Sequence, residues 1–418
     1  MGTEIEGMEK KAKVPKLRFP GFTDEWEQRK LSEIYSSIGN AFVGTATPYY
    51  VESGHFYLES NNIKDGQINH NTEIFINDEF YEKQKDKWLH TGDMVMVQSG
   101  HVGHAAVITE KLNNSAAHAL IMFRNLKEKI EPYFLNYQYQ TVKSKKKIEN
   151  ITIGNTIKHI LASEMQQFEV DIPKLEEQKK IAEYFTNLDN LITLHQRKLT
   201  HLQPKKKSLL QKMFPKKGER FPELCFPGFT DAWEQCKLGE IANDAYGGGT
   251  PKTTMEEYWG GKIPWIQSSD LTEHKVTGVI PRKYISQQGL AKSATIFVLE
   301  NLLAIITRVG VGKLAIMPFQ YATSQDFLSL SNLNTDIQFS AYAIYTKLQK
   351  ELNAVQGTSI KGITKDELLA KVIAVPRIEE QKQIGTFFTN LDNLITLHQR
   401  KLTHLQTQKK ALLQQMFV

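Results

Sequence analysis

Residues Ile172–Phe214 read IPKLEEQKKIAEYFTNLDNLITLHQRKLTHLQPKKKSLLQKMF, and residues Val375–Phe417 read VPRIEEQKQIGTFFTNLDNLITLHQRKLTHLQTQKKALLQQMF. The two stretches agree at 32 of 43 positions at an offset of 203, and the nineteen residues from Phe185 to Gln203 recur unchanged. Leu188, Ile192, His195, Leu199, Leu202, Lys206, Leu209 and Met213 alternate steps of four and three, the seam of a heptad helix. The second copy repeats it as Leu391, Ile395, His398, Leu402, Leu405, Lys409, Leu412 and Met416. Two identical apolar seams on one chain predict helices that bury each other, and a domain-length connection between them predicts an antiparallel pair. The His and Lys members place polar groups in apolar rows, where such residues fix register at some cost in stability. Pro173 ahead of Glu176, Glu177 and Gln178 marks a helix start, with negative charge where the macrodipole favours it. Pro204, replaced by Thr407 in the second copy, predicts a kink in the first helix alone. Unbroken, the helix from Glu176 to Phe214 would span about 58 Å at roughly 1.5 Å per residue.

Moving outward, LRFPGFTDEWEQRKLSEI from Leu17 matches LCFPGFTDAWEQCKLGEI from Leu224 at 14 of 18 positions. GNTIKHI from Gly154 answers GTSIKGI from Gly357, while the segments between are barely alike. The chain is thus a frame written twice around two divergent inserts, which implies one job done twice and two jobs done once each. We divide it into a tail (1–16), a first domain (17–171), a central helix (172–215), a second domain (216–374) and a C-terminal helix (375–418). In the inserts, short β-rich runs broken by glycine and asparagine predict mixed α+β modules with curled sheets. Each has an apolar strand, a glycine loop and a second strand: VMVQSGHVGHAAVI and AIITRVGVGKLAIM. These align Ser99 with Arg308, Gly103 with Gly312 and His104 with Lys313. The expected fold class is α+β with an internal pseudo-twofold repeat.

Composition narrows the function. The 418 residues carry 52 Lys+Arg against 46 Asp+Glu, a formal charge of +6, so polyanion binding is allowed but not demanded. No uncharged apolar run reaches the roughly 18 to 20 residues of a membrane span, and the opening MGTEIEGMEKKAK reads as a loose tail with no apolar stretch. Two cysteines without a CxxC fit a reducing, cytoplasmic setting. VGVGK fails as a phosphate loop, because Thr307 stands where glycine is needed and Leu314 where Ser or Thr is needed. The chain has no Pro-Pro pair and no HExxH, and hence no catalytic or metal constellation is expected.

Exposed loops carrying amide, hydroxyl and basic side chains are what base-edge and phosphate contacts use. The candidates are Asn61, Asn62, Lys64, Ser99 and His101 in the first insert. In the second they are Thr250, Lys252, Thr253, Ser268, Ser269, Arg308, Lys313, Ser324 and Gln325. Lys143, Lys145, Lys146 and Lys147 read as a solvated helix face with phosphate contact as the alternative.

On these features the sequence resembles the specificity subunits of type I restriction-modification systems. FPGFTDEWEQRKLSEI and its partner, GGTPKTTMEEYWGGKIPWIQSSDL, QSGHVGHAAVI and the doubled IPKLEEQKKIAEYF / VPRIEEQKQIGTFF carry the likeness, from about Val14 to Val418. The resemblance implies two target recognition domains, each reading half of a split, asymmetric site in double-stranded DNA, held apart by an antiparallel coiled coil. It also implies partners: two adenine-methylating modification subunits on the helices and two ATP-driven restriction subunits beyond them. S-adenosylmethionine, ATP and Mg would then be bound by those partners and no cofactor by this chain. The alternative reading is a coiled-coil adaptor that binds proteins through two unlike β modules. One departure stands out: Arg18 and Arg29 of the first copy are Cys225 and Cys236 in the second. If the arginines tie domain to helix or phosphate, the second half should bind more weakly.

Overall fold

The structure is a computed structural model that describes residues 13–354 and 362–418. Residues 1–12 of the tail, and most of the GTSIKGI copy, lie outside the described residues. The contacts gather the chain into two units: residues 1–194 with 401–418, and residues 195–400. Both long helices are therefore divided between the units. The two helices are Leu175–Lys212 and Ile378–Gln415.

Unit 1 begins where Glu27–Lys30 pairs antiparallel with Glu169–Ile172, so the strand entering the domain is clipped to the strand leaving it. The single-turn helix Leu31–Ile34 buries both its leucine and its isoleucine and turns the chain into an antiparallel sheet. That sheet runs in the order Tyr35–Asn40, Leu120–Leu126, Met94–Val97, Ala105–Val107. The strands Met94–Val97 and, at the sheet edge, Ala105–Val107 are buried on both faces, as their uninterrupted apolar runs require. A second four-stranded sheet contains a parallel pair, Ala116–Ala117 beside His55–Leu58. The helices Pro132–Tyr139 and Val142–Asn150 pack behind. The core joins Trp26, Phe123, Phe134 and Phe185 to Leu413, Met416 and Phe417 from the end of the chain.

Unit 2 repeats the plan. Glu234–Lys237 pairs with Val372–Val375 in the same register. The antiparallel sheet runs Ala242–Tyr246, Phe327–Leu333, Leu302–Ile306, Leu314–Met317. Its parallel pair is Tyr321–Thr323 beside Trp259–Ile266. The inserts, barely alike in sequence, thus share a sheet order and a parallel pair, and they diverge in what flanks that pair. In unit 1 Phe75–Ile76 and Tyr50–Val51 continue from His55–Leu58. In unit 2 Lys283–Ile285 and Ile296–Val298 add to opposite sides.

The helix Leu175–Lys212 does not end at Pro204, which removes one backbone donor, and Lys206 and Leu210 just beyond it are buried. The tail is not loose at its end either: Lys13 ion-pairs with Asp171 at 2.8 Å, and its carbonyl accepts from the Trp26 amide.

Candidate nucleic-acid interface and helix pairing

The helix start explains the EEQ motif. In unit 1 Arg18 donates to Glu177 through Nε and Nη2, both at 2.7 Å, around a carboxylate only 1% exposed. Gln178 donates to the Pro173 carbonyl at 2.8 Å and accepts from the Glu131 amide at 3.0 Å, tying helix to domain. Gln381 does the same with Pro376 and Asp336, at 2.7 and 2.8 Å. The cysteine departure is now interpretable: Cys225 leaves Glu380, 2% exposed, without a guanidinium. Burial pushes the Glu380 carboxyl above its ordinary range, against the pull of a hydrogen bond from Trp233. Arg29, the other changed position, pairs with Glu33 and Glu128 at 3.1 and 2.7 Å. Both arginines therefore serve the unit's own carboxylates.

The polar seam residues are paired. In unit 2 the rings of His195 and His398 meet Nδ1 to Nδ1 at 2.8 Å, and Lys206 reaches Asp392 at 2.5 Å. One residue number rises while its partner's falls, so the helices run antiparallel. Tyr342 donates to the same carboxylate at 2.8 Å, and the lysine lies over the tyrosine ring. Burial lowers the Lys206 pKa, with Asp392 acting in the opposite sense. Unit 1 repeats the triad: Lys409 reaches both oxygens of Asp189 at 2.7 and 2.9 Å, Tyr137 donates to it at 2.9 Å, and Gln140 accepts from the lysine at 3.0 Å. Sequence reading picked the lysines; the aspartates were in plain view within the unchanged stretch but off the seam, and the tyrosines lie in the divergent inserts. Leu188, Leu199, Ile395 and Leu402 are buried, while Ile192, Leu202, Leu391 and Leu405 are half-buried. Off the seam, Leu191 and Leu194 are 44% and 47% exposed, and their repeats Leu394 and Leu397 are 40% and 48% exposed.

The predicted contact residues collect at one rim of the sheets. In unit 1 the chain leaves His55–Leu58 into a single 3₁₀ turn, Ser60–Asn62. His101 of the glycine loop meets the Ser60 carbonyl at 3.0 Å, and the Asp65 amide donates to His104 at 3.2 Å. Asn61, Lys64 and His101 are exposed on this rim, with Ser99 half-buried beside them. Asn62 leaves the set. It is buried, accepting from the Glu59 amide at 2.9 Å and donating to the Asn69 and Thr72 carbonyls at 3.1 and 2.7 Å. His118, just past the strand Ala116–Ala117, braces the rim through Glu59 and the Gly44 carbonyl at 3.2 and 3.0 Å. Its hydrogen bond to Glu59 raises the His118 pKa.

Unit 2 builds the same rim from other side chains. Ser268–Asp270 forms the turn after Trp259–Ile266, and Asp270 accepts from the Gln267 amide at 3.0 Å, as Asn62 does from Glu59. The glycine loop joins it where Thr307 donates its amide to the Asp326 carbonyl at 2.7 Å and Lys313 meets Glu273 at 3.3 Å. Thr250, Lys252, Thr253, Ser269, Arg308 and Gln325 are exposed, and Ser268 is half-buried. Ser324 leaves the set: it is 1% exposed, with its hydroxyl accepting from the Asp326 amide at 3.3 Å. The glycine run serves close approach, since a Cβ on Gly248 would sit 2.2 Å from the Thr323 carbonyl oxygen. In the lysine run, Lys143 turns inward to Asp171 at 3.2 Å and Lys147 to the Glu169 carbonyl at 3.2 Å.

Among the described residues no group of His, Cys, Asp and Glu is placed to hold a metal, and no helix is long and apolar enough to cross a membrane. Comparison with known proteins gives one consistent result. A family model described as the type I restriction modification DNA specificity domain matches residues 23–203 and again 230–407. The chain is 24% identical over 407 residues to the putative type I restriction enzyme MjaX specificity subunit of Methanocaldococcus jannaschii, covering 93% of this chain and 92% of that one. It is also 24% identical over 422 residues to the MjaVIII specificity subunit of the same organism, covering 95% and 92%. Its fold resembles the crystal structure of a type I restriction-modification S subunit from M. genitalium, with a TM-score of 0.60 at 15% identity over 97% of this chain and 99% of that one.

Proposed function

Because the chain belongs to the type I restriction-modification DNA specificity family, we propose that each of its units reads one half of a bipartite, asymmetric duplex target. One observation carries the asymmetry: a common rim, built on the same sheet order and the same 3₁₀ turn, presents Asn61, Lys64, Ser99 and His101 in one unit. In the other it presents Thr250, Lys252, Thr253, Ser268, Ser269, Arg308, Lys313 and Gln325. Amides and hydroxyls on such a rim suit base edges in the major groove, and lysines suit phosphates. Unlike readers on like scaffolds read unlike half-sites. Replacing residues 242–353 by the matching segment of another specificity subunit changes one half of the methylated motif and leaves the other. Changes in both halves defeat the modular reading.

The chain chooses the site and the partners do the chemistry. Two modification subunits methylate adenine with S-adenosylmethionine, and two restriction subunits cleave with ATP and Mg, in the cytoplasm. The outward leucines Leu191 and Leu194, and their repeats Leu394 and Leu397, give each unit an apolar helix face on which a modification subunit docks. Leu194→Ser with Leu397→Ser leaves the thermal stability of the isolated chain unchanged and abolishes co-purification with the modification subunit. Retained assembly would move docking off these helices.

A further inference from the structure

Unit 2 holds a basic cavity of about 740 Å³, lined by five lysines, Lys216, Lys217, Lys347, Lys350 and Lys371, and by a single carboxylate, Glu351. Lys371 and Lys347 share Glu351 at 2.5 and 3.5 Å, which leaves the other three without an ion pair among the described residues, Glu219 acting on Lys350 only through space. Lys350 donates to the Pro215 carbonyl at 3.1 Å. The matching place in unit 1 is neutralised from within. Gln28 pairs in register with Asp171, whose carboxylate takes Lys13 at 2.8 Å and Lys143 at 3.2 Å. In unit 2 the same register sets Gln235 opposite Ala374, and both residues line the cavity. The anion has been removed and the cations replaced: by the match of Thr141 to Thr346, Lys143 gives way to the buried Leu348, and a different set of lysines lines the place.

A second observation points the same way. In unit 1 Thr141 has work to do, donating to the Gln138 carbonyl at 2.9 Å and capping the helix Val142–Asn150 through the Ser144 amide at 3.2 Å. In unit 2 the helix continues unbroken over Ile337–Ala354, and Thr346 lies within it. Thr346 is 6% exposed, lines the cavity, and has a buried hydroxyl with no hydrogen-bond partner among the described residues. A buried hydroxyl left unpaired costs free energy that a bound acceptor recovers. Burial and the neighbouring Lys347 also hold the Lys350 pKa down, a penalty that an anion relieves.

We propose that this cavity binds a phosphate-class oxyanion, taking the place that the Asp171 carboxylate fills in unit 1, with Lys347, Lys350 and Thr346 as its ligands. The site stands independently of the DNA-reading function. The test is thermal unfolding of the full chain in inorganic phosphate against chloride at equal ionic strength. Phosphate raises the unfolding midpoint of unit 2 by about 2–4 °C at saturation. Ala374→Asp, which restores the internal anion, raises the midpoint in chloride and abolishes the phosphate response. Lys347→Gln with Lys350→Gln abolishes the response without that gain. A wild-type chain indifferent to phosphate, or an Ala374→Asp chain that responds like wild type, overturns the proposal. The source of the phosphate is then read from duplex binding by the chain with its modification subunit. If the ligand is the DNA backbone, Ala374→Asp lowers the slope of log affinity against log salt by about one contact. If it is free phosphate, the slope is unchanged.

Discussion

At the start of the central helix Glu177 is clasped by Arg18, whereas at the matching point of the C-terminal helix Glu380 faces Cys225 and borrows a hydrogen bond from Trp233. The indole of Trp26, the counterpart of Trp233, is buried in unit 1 without a partner among the described residues, so losing the arginine has handed the carboxylate to the tryptophan. The same buried acid is thus charge-paired in one unit and merely hydrogen-bonded in the other. A repeated frame tolerates this because most of its hold on the helix comes from the glutamine ties and the apolar core, which both units keep.

The comparison can be broken hardest at the triads. Asp392→Ala strands Lys206 and Tyr342 in the core and costs about 3–5 kcal/mol. Asp189→Ala costs less, because its pair with Lys409 is the more exposed of the two, each lysine otherwise keeping one neutral acceptor, Gln140 for Lys409 and the His274 carbonyl for Lys206. Hydrogen exchange resolved by unit reads both, and equal losses would show that the triads are interchangeable. Next come the arginine positions. Arg18→Cys destabilises unit 1 by about 3 kcal/mol, while Cys225→Arg stabilises unit 2 by about 1–3 kcal/mol at neutral pH without altering the methylated motif. A carboxyl whose folded pKa is raised holds its proton more tightly when folded. Glu380 therefore costs unit 2 nothing below the ordinary carboxyl pKa and destabilises it as pH rises through the folded value. Cys225→Arg flattens that dependence, and an unchanged pH profile would mean that the guanidinium fails to reach Glu380.

Smaller effects sharpen the contrast between the rims. Arg308→Ala costs about 1–3 kcal/mol of duplex binding and relaxes one position in one half-site. Lys64→Ala weakens all sequences alike and leaves both half-sites intact, as competition binding would show. Last is His118, whose pKa is raised by Glu59. Its pairing stabilises the unit 1 rim below the ordinary histidine pKa and is lost as pH rises through the folded value, by about 1 kcal/mol. Amide exchange of residues 59–65 should quicken across that window, with no matching change at residues 267–273, where Ser324 takes the place of His118.

The helix pairing was legible because seams, periods and repeats are local patterns. His195, His398, Lys206 and Lys409 were read as register-setting residues, and the structure pairs all four. The inserts were legible only as β-rich. Their shared sheet order is held by alternation and burial, which many sequences satisfy, so identity between them had decayed while topology had not. Asn62 and Ser324 show the limit for individual residues. Both sit in polar, turn-like sequence, and only the carbonyls and amides that close on them in three dimensions turn them from readers into struts.

The division of each long helix between the two units sets the order of events during synthesis. The core of unit 1 needs Leu413, Met416 and Phe417, which follow Leu194 by some two hundred residues. At about 5–20 residues per second, the ribosome takes roughly 10–45 s to make that stretch. Unit 2, contiguous from His195 to Arg400, has all its parts first. The amino-terminal half of the chain is therefore the last to close, and Trp26, Phe134 and Phe185 await Phe417, just past the end of the C-terminal helix.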